Sequence, residues 1–206
     1  MLVLFYLTGP PQAVISTLKL PLAFDAAALW ADAASFSAEE WTPHFNVHYY
    51  QGDWSGIALR AAKDAHVGLY PDPAATSFCN TGMLDRCKYV PAVLDAFECD
   101  LETARFLRLG PGATIREHRD YKLSLEDGIA RVHIPVKTSS NVEFFLDHER
   151  IDMQQGEAWY LNFNLPHSVE NKGEETRIHL VIDCIVNDWL RSFFPETSDP
   201  VITVGS

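Results

Sequence analysis

A single His-x-Asp occurs in the chain, at His118-Arg-Asp120. Residues two apart in a strand point to the same face, so this imidazole and carboxylate can meet one ion. His167 follows forty-nine residues later. Two imidazoles and one carboxylate on one side of a metal leave three positions open, an arrangement suited to non-haem Fe(II) and oxygen chemistry. The pair alone says little. Eight His and fifteen Asp in 206 residues make about 0.6 such pairs expected by chance, and a surface turn at Arg119-Asp120 explains it as readily.

Arg177 adds to the pattern. It lies ten residues after His167, across a hairpin-like turn at Asn171-Lys-Gly173, and opens the apolar run Arg177-Ile-His-Leu-Val-Ile182. A guanidinium in such a strand is costly to bury unless an anion pairs with it, and it can grip a carboxylate at two points. The alternative is an exposed strand-end Arg. Arg131 and His133 form a second same-face pair in Arg131-Val-His-Ile-Pro135, facing either solvent or a cavity. His179 alternates with Arg177 and reads as a hydrogen-bonded wall residue rather than a third imidazole ligand. His118-Arg-Asp-Tyr121 also imitates a kinase catalytic loop, but Leu125 stands where that motif needs Asn.

The elements that must position these residues differ between two parts of the chain. Residues 1–105 mix helical and irregular signals: a helix capped by Asp25 with Leu29, Ala33 and Phe36 on one face, and another opened by Pro91 with Val93, Leu94 and Phe97. Residues 106–186 read as about eight short strands. They are Phe106–Leu109, Ile115–Asp120, Arg131–Thr138, Val142–Asp147, Ile151–Met153, Ala158–Phe163, His167–Asn171 and Arg177–Ile185, separated by turn residues. Eight short strands fit a jelly roll, two sheets enclosing a mouth lined by inward side chains. Asn187–Phe194 reads as a closing helix before a tail to 206. The expected class is mainly β with flanking helices, in a single domain over 1–206.

Composition narrows the rest. Sixteen basic against twenty-eight acidic residues give a net charge of −12, which disfavours a nucleic-acid binder or an electrostatic membrane anchor. At 47% hydrophobic the chain is too apolar for disorder. No stretch approaches the ~20 apolar residues of a membrane span, and Met1–Leu7 reads as a first strand rather than a signal peptide. Cys79, Cys87, Cys99 and Cys184 form no C-x-x-C pair, which points to reduced thiols in a cytoplasmic protein.

Several ordered motifs then point to a family. Leu109-Gly-Pro-Gly112, His118-Arg-Asp120, Gly128-Ile-Ala-Arg-Val-His-Ile-Pro135, Gly156-Glu-Ala-Trp-Tyr-Leu161, Pro166-His-Ser-Val-Glu-Asn171 and Arg177-Ile-His-Leu-Val-Ile-Asp183 together resemble the catalytic domain of the aspartyl/asparaginyl beta-hydroxylases, which are Fe(II)- and 2-oxoglutarate-dependent dioxygenases. Trp41-Thr-Pro-His44 through Tyr49, Gly52-Asp-Trp54 and Leu59-Arg60 resemble the region before that core in bacterial members.

The resemblance implies a double-stranded beta-helix, iron on His118, Asp120 and His167, and the distal carboxylate of 2-oxoglutarate on Arg177. It places Arg131 and His133 against co-substrate or substrate. His48, Tyr49, Trp54 and Arg60 become substrate-side residues, with Arg60 or Arg131 suited to a substrate carboxylate; ordinary packing is the alternative for the aromatic pair. The animal peptidyl hydroxylase of the family lacks the carboxylate ligand, so Asp120 aligns this chain with bacterial free-proline hydroxylases. The expected function is hydroxylation of an unactivated C–H bond of a small amino-acid-like molecule, using O2. The alternatives are a peptidyl aspartyl/asparaginyl beta-hydroxylase and a non-enzymatic cupin-like binding protein.

Overall fold

Residues 101–185 alternate apolar with polar side chains between turn residues, and they fold strand after strand. The computed structural model describes residues 14–69 and 74–195. The strand expected at 1–7, the loop at 70–73 and the tail from 196 lie outside them. In chain order the strands are β1 (Thr17–Ala23), β2 (Thr42–Pro43), β3 (Tyr50–Gln51), β4 (Trp54–Ala62), β5 (Phe78–Asn80), β6 (Leu101–Leu109), β7 (Thr114–His118), β8 (Ile129–Lys137), β9 (Val142–Leu146), β10 (Glu149–Arg150), β11 (Glu157–Leu161), β12 (His167–Asn171) and β13 (Arg177–Ile185). The α-helices are α1 (Ala26–Ala33), α2 (Val90–Asp95) and α3 (Asp188–Arg191).

The larger sheet runs β1-β11-β8-β13-β6-β4-β2, with β5 beside β4; the smaller runs β10-β9-β12-β7-β3. This is the expected jelly roll, a double-stranded β-helix. The larger sheet is covered on both faces. Leu29 of α1, Val93 of α2 and Leu190 of α3 pack with Phe106, Ile134, Leu180 and Ile182 on one side. Leu109 and Leu161 meet Phe144, Leu146 and Val169 of the smaller sheet on the other. Period-two alternation therefore sends Ile178, Leu180 and Ile182 of β13 toward the helices and Arg177, His179 and Asp183 toward the facing sheet. Residues 177–184 are all buried.

The helices begin where their capping residues stand. The Asp25 carboxylate accepts the Ala27 and Ala28 N–H groups at 2.9 and 3.1 Å, Pro91 sits in the first turn of α2, and Asn187 accepts from Leu190 N–H at 3.0 Å. The buried Asp32 carboxylate accepts the N–H groups of Lys88, Tyr89 and Val90, fastening α1 to the start of α2. Among the described residues no helix is long and apolar enough to cross a membrane.

Three expectations are corrected. The first part of the chain is not merely helical or irregular: β1 and β4 belong to the larger sheet, and the expected boundary at residue 106 falls inside β6. Ile151–Met153 is not a strand. The chain turns at Asp147 and His148, both at positive φ, pairs briefly as β10, and then delivers Met153 into the inter-sheet core. Asn171-Lys-Gly173 is not a hairpin, because β12 and β13 lie in different sheets. The turn crosses the sandwich, and the Asn171 amide pins it by donating to Leu109 O, Gly110 O and Glu175 O.

Candidate metal centre

β7 and β12 pair antiparallel with His118 opposite His167, which sets the two imidazoles side by side at 4.2 Å between ring centroids. Asp120 follows two residues beyond His118, past the end of β7, where its N–H donates to Phe163 O at 2.9 Å. The ligand atoms of His118, Asp120 and His167 lie within 4.8 Å of one another. Both imidazoles are oriented locally. Nδ1 of His118 lies 2.8 Å from Arg116 O and Nδ1 of His167 lies 3.0 Å from Leu165 O. A carbonyl only accepts, so each Nδ1 carries a proton, and Nε2 is the atom each imidazole would offer to a metal. Burial pushes His167 down to about 4, favouring the neutral ligand form. The donor set fits a divalent first-row metal such as Fe(II).

Asp120 is held from another sheet. Its Oδ2 accepts from Arg131 Nη1 at 2.7 Å, while Oδ1 is the oxygen nearest His118 Nε2, at 3.8 Å. Arg131 also grips Asp183 through Nε at 2.7 Å and Nη2 at 3.1 Å. All three nitrogens of Arg131 are thus committed to carboxylates, and its guanidinium lies over the Phe163 ring at 5.4 Å. This corrects the expectation that Arg131 offers a cation to an anionic ligand.

Among the described residues Arg177 has no such partner. It is 3% exposed, Nη2 donates to His179 Nδ1 at 2.9 Å, and Nε is buried without any hydrogen bond. Burial alone, uncompensated by a carboxylate, pushes this guanidinium down to about 9. The bond from Arg177 makes His179 Nδ1 an acceptor, so His179 is neutral with its proton on Nε2. His133 Nδ1 lies 3.3 Å from the same nitrogen and its ring stacks on Phe163 at 5.0 Å. Burial first, then the neighbouring guanidinium of Arg177, holds both imidazoles well below their usual range. Arg177 and His179 line a cavity of about 350 Å³ between the sheets, with Phe144, Met153, Thr138 and Gln154.

The region before the core divides. Tyr49 stacks on His118 at 4.9 Å, and Trp54 lies 6.4 Å from His118, stacked on His44 at 3.5 Å. Trp54 Nε1 is the other buried side-chain donor without a partner among the described residues. His48 is exposed on the turn between β2 and β3. Arg60 is not at the centre. It sits six residues along β4 from Trp54, about 20 Å at strand rise. There its guanidinium donates to Leu101 O, Asn80 and Phe78 O at 2.8, 3.0 and 3.2 Å.

Three residues that sequence reasoning passed over belong here: His44, Asp183 and Arg105. Asp183 had a signal, since it continues the odd-numbered polar positions Arg177 and His179 along an otherwise apolar strand. His44 was marked only by its place in the stretch that resembles bacterial members, and Arg105 had no signal, because its partner lies on another strand.

The sequence profile of the aspartyl/asparaginyl beta-hydroxylases matches residues 25–186. The chain belongs to this family. An L-proline cis-4-hydroxylase of Rhizobium meliloti (strain 1021) is 26% identical over 186 residues, covering 87% of this chain; the chain spans 64% of that relative's length. Solved structures share the fold at low identity. A 2OG-Fe(II) oxygenase family oxidoreductase from Burkholderia pseudomallei aligns at TM-score 0.55 and 16% identity, over 82% of this chain and 85% of that one. A prolyl-4-hydroxylase from Pseudomonas putida aligns at TM-score 0.50 and 16% identity, over 84% and 93% respectively. The jelly-roll architecture of this beta-hydroxylase family member is the one these oxygenase structures display.

Proposed function

We propose that the protein is an Fe(II)- and 2-oxoglutarate-dependent dioxygenase that hydroxylates an unactivated C–H bond of a small amino-acid-like substrate. One juxtaposition carries the reading. A two-His, one-carboxylate group lies one aromatic ring away from the pocket of a buried guanidinium that has no carboxylate partner among the described residues: Phe163 meets His167 edge-on and stacks on His133, which adjoins His179 and Arg177.

In this reading His118, Asp120 and His167 hold the metal, and Arg177 receives the distal carboxylate of 2-oxoglutarate, satisfying its orphaned Nε. Neutral His179 accepts from the guanidinium and keeps it aimed into the cavity, with His133 behind it. When bound, iron with 2-oxoglutarate and O2 supplies the oxidation: one oxygen atom ends in succinate beside CO2, the other in the C–OH of the product. Leu109, Phe144, Phe163 and Met153 keep water from the interior. Tyr49 and Trp54 wall the substrate side next to His118, with exposed His48 at the rim. A chain of net charge −12 does not steer anions by its surface, so their capture rests on the buried cation and the metal. The family's proline-acting relative supports an amino or imino acid as substrate.

A peptide side chain is the second reading. Phe45, Val47, Tyr49 and Tyr121, all exposed, lie on the two loops beside the metal ligands, an apolar rim that a peptide covers and a free amino acid leaves bare.

The deciding assay measures succinate formed from 2-oxoglutarate with Fe(II) over a panel that begins with L-proline and includes short peptides. Turnover above the uncoupled rate with a free amino acid supports the reading, and stimulation by peptides alone favours the second. No stimulation together with no visible charge-transfer band on adding 2-oxoglutarate to the anaerobic Fe(II) protein would sink both.

A further inference from the structure

Each metal-ligating side chain needs something to aim it. The two imidazoles have a backbone carbonyl two residues away in their own strands or turns. Asp120 has no carbonyl of this kind: its side chain is one-third exposed, and among the described residues Arg131 is the one hydrogen-bond donor to its carboxylate. Arg131 is itself held by Asp183.

Asp183 is 5% exposed, and its two oxygens accept four hydrogen bonds. Two come from Arg131, one from Thr103 Oγ1 at 2.6 Å and one from Arg105 Nη1 at 3.0 Å. These groups stand on three adjacent strands, with Asp183 of β13 directly opposite both Arg131 of β8 and Thr103 of β6. A guanidinium is planar and rigid, so fixing its Nε and Nη2 on one carboxylate fixes where Nη1 points. Nη1 then occupies Oδ2 of Asp120 and leaves Oδ1 turned toward His118. Asp183 also supplies the charge that lets two half-buried guanidinia, Arg105 and Arg131, sit in one place.

We infer that Asp183 is a positioning residue for the metal centre, acting through Arg131 to hold Asp120 with one carboxylate oxygen presented to the ion. The inference rests on the reading of His118, Asp120 and His167 as a metal site. It assigns Arg131 to that frame rather than to either carboxylate-bearing ligand. Loss of an outer partner of this kind typically weakens metal binding by about 10–100-fold.

The test is anaerobic titration of the metal-free protein with Co(II), whose visible absorption reports ligand geometry. Wild type, D183N and D32N are compared. Asp32 is an equally buried carboxylate on the helix side of the larger sheet, so D32N controls for simple destabilisation. D183N is expected to bind Co(II) about 10–100-fold more weakly with an altered spectrum, whereas D32N lowers the melting temperature and keeps wild-type affinity and spectrum. Folded D183N with wild-type affinity and spectrum overturns the inference. Should D183N not fold, R131K decides, because it keeps the charge but cannot grip Asp183 and Asp120 together; wild-type Co(II) affinity in R131K overturns it equally. Absence of Co(II) binding by the wild type removes the metal reading itself, and this inference with it.

Discussion

Arg177 donates to His179 across 2.9 Å and, among the described residues, to no carboxylate, although both side chains are buried. A charge placed in a protein interior without its counter-ion is a debt in the free protein that an anionic ligand cancels. Replacing Arg177 by Met keeps the length and removes the charge. The R177M protein is therefore expected to be more stable than wild type without ligand, by about 1–4 kcal/mol. It is also expected to bind 2-oxoglutarate roughly 10–150-fold more weakly with metal affinity retained. Melting curves with and without 2-oxoglutarate read both effects at once; equal ligand-induced shifts in the two proteins refute the assignment.

Asp120 and Arg60 were both expected at the site, and the structure separates them. If the proposed metal site is right, D120A removes a direct ligand, and Fe(II) affinity should fall by more than the roughly 10–100-fold typical of an outer partner. R60A removes the three hydrogen bonds to Leu101, Asn80 and Phe78 and should lower stability by about 1–3 kcal/mol. Metal and 2-oxoglutarate affinities in R60A should not change. Isothermal titration of both variants checks the contrast.

His133 and His179 are buried and neutral, held well below the ordinary value of 6.5. In the unfolded chain they regain that value. Below about pH 6.5 the unfolded state therefore binds protons that the folded state refuses, and stability falls as pH falls. Each imidazole contributes at most about 1.4 kcal/mol per pH unit in this window. Chemical denaturation of the metal-free protein from about pH 7.5 to 5.5 should show a steady loss, and a flat profile contradicts the neutral assignment.

Gly52 turns the chain between β3 and β4, which carry Tyr50 and Trp54 on either side of it. Its φ is +88°, and a Cβ there would lie 2.7 Å from Ala113 Cβ. G52A is expected to cost about 2–3 kcal/mol and to displace the Tyr49–Trp54 wall from His118. The wavelength of tryptophan emission and the melting temperature report the two consequences separately.

Much of the fold was legible because it is local. Asp25 and Asn187 mark helix starts by accepting N–H groups two or three residues on, Pro91 does so through its fixed φ, and period-two alternation marks β8, β12 and β13. Misreadings fell where partners are distant. β1 and β4 looked irregular within a segment of helical signals, yet the larger sheet recruits β1 at one edge and β4 between β6 and β2. The turn after Asn171 reads as a hairpin by composition, and only the existence of two sheets makes it a crossing.

The same division runs through the metal centre. His118, Asp120, His167 and Arg177 could be singled out as candidates from residue type and strand periodicity, with the family resemblance supplying their roles, because those signals lie within a few residues. Tertiary structure alone decided that Arg131 is bound on all three nitrogens and that Arg60 lies a strand's length away. It also showed that Asp183, Arg105 and Thr103 stand behind Asp120. The reason is physical: a ligand's identity is a property of its own side chain, whereas its orientation and charge balance come from strands that are neighbours only after the sheet has formed.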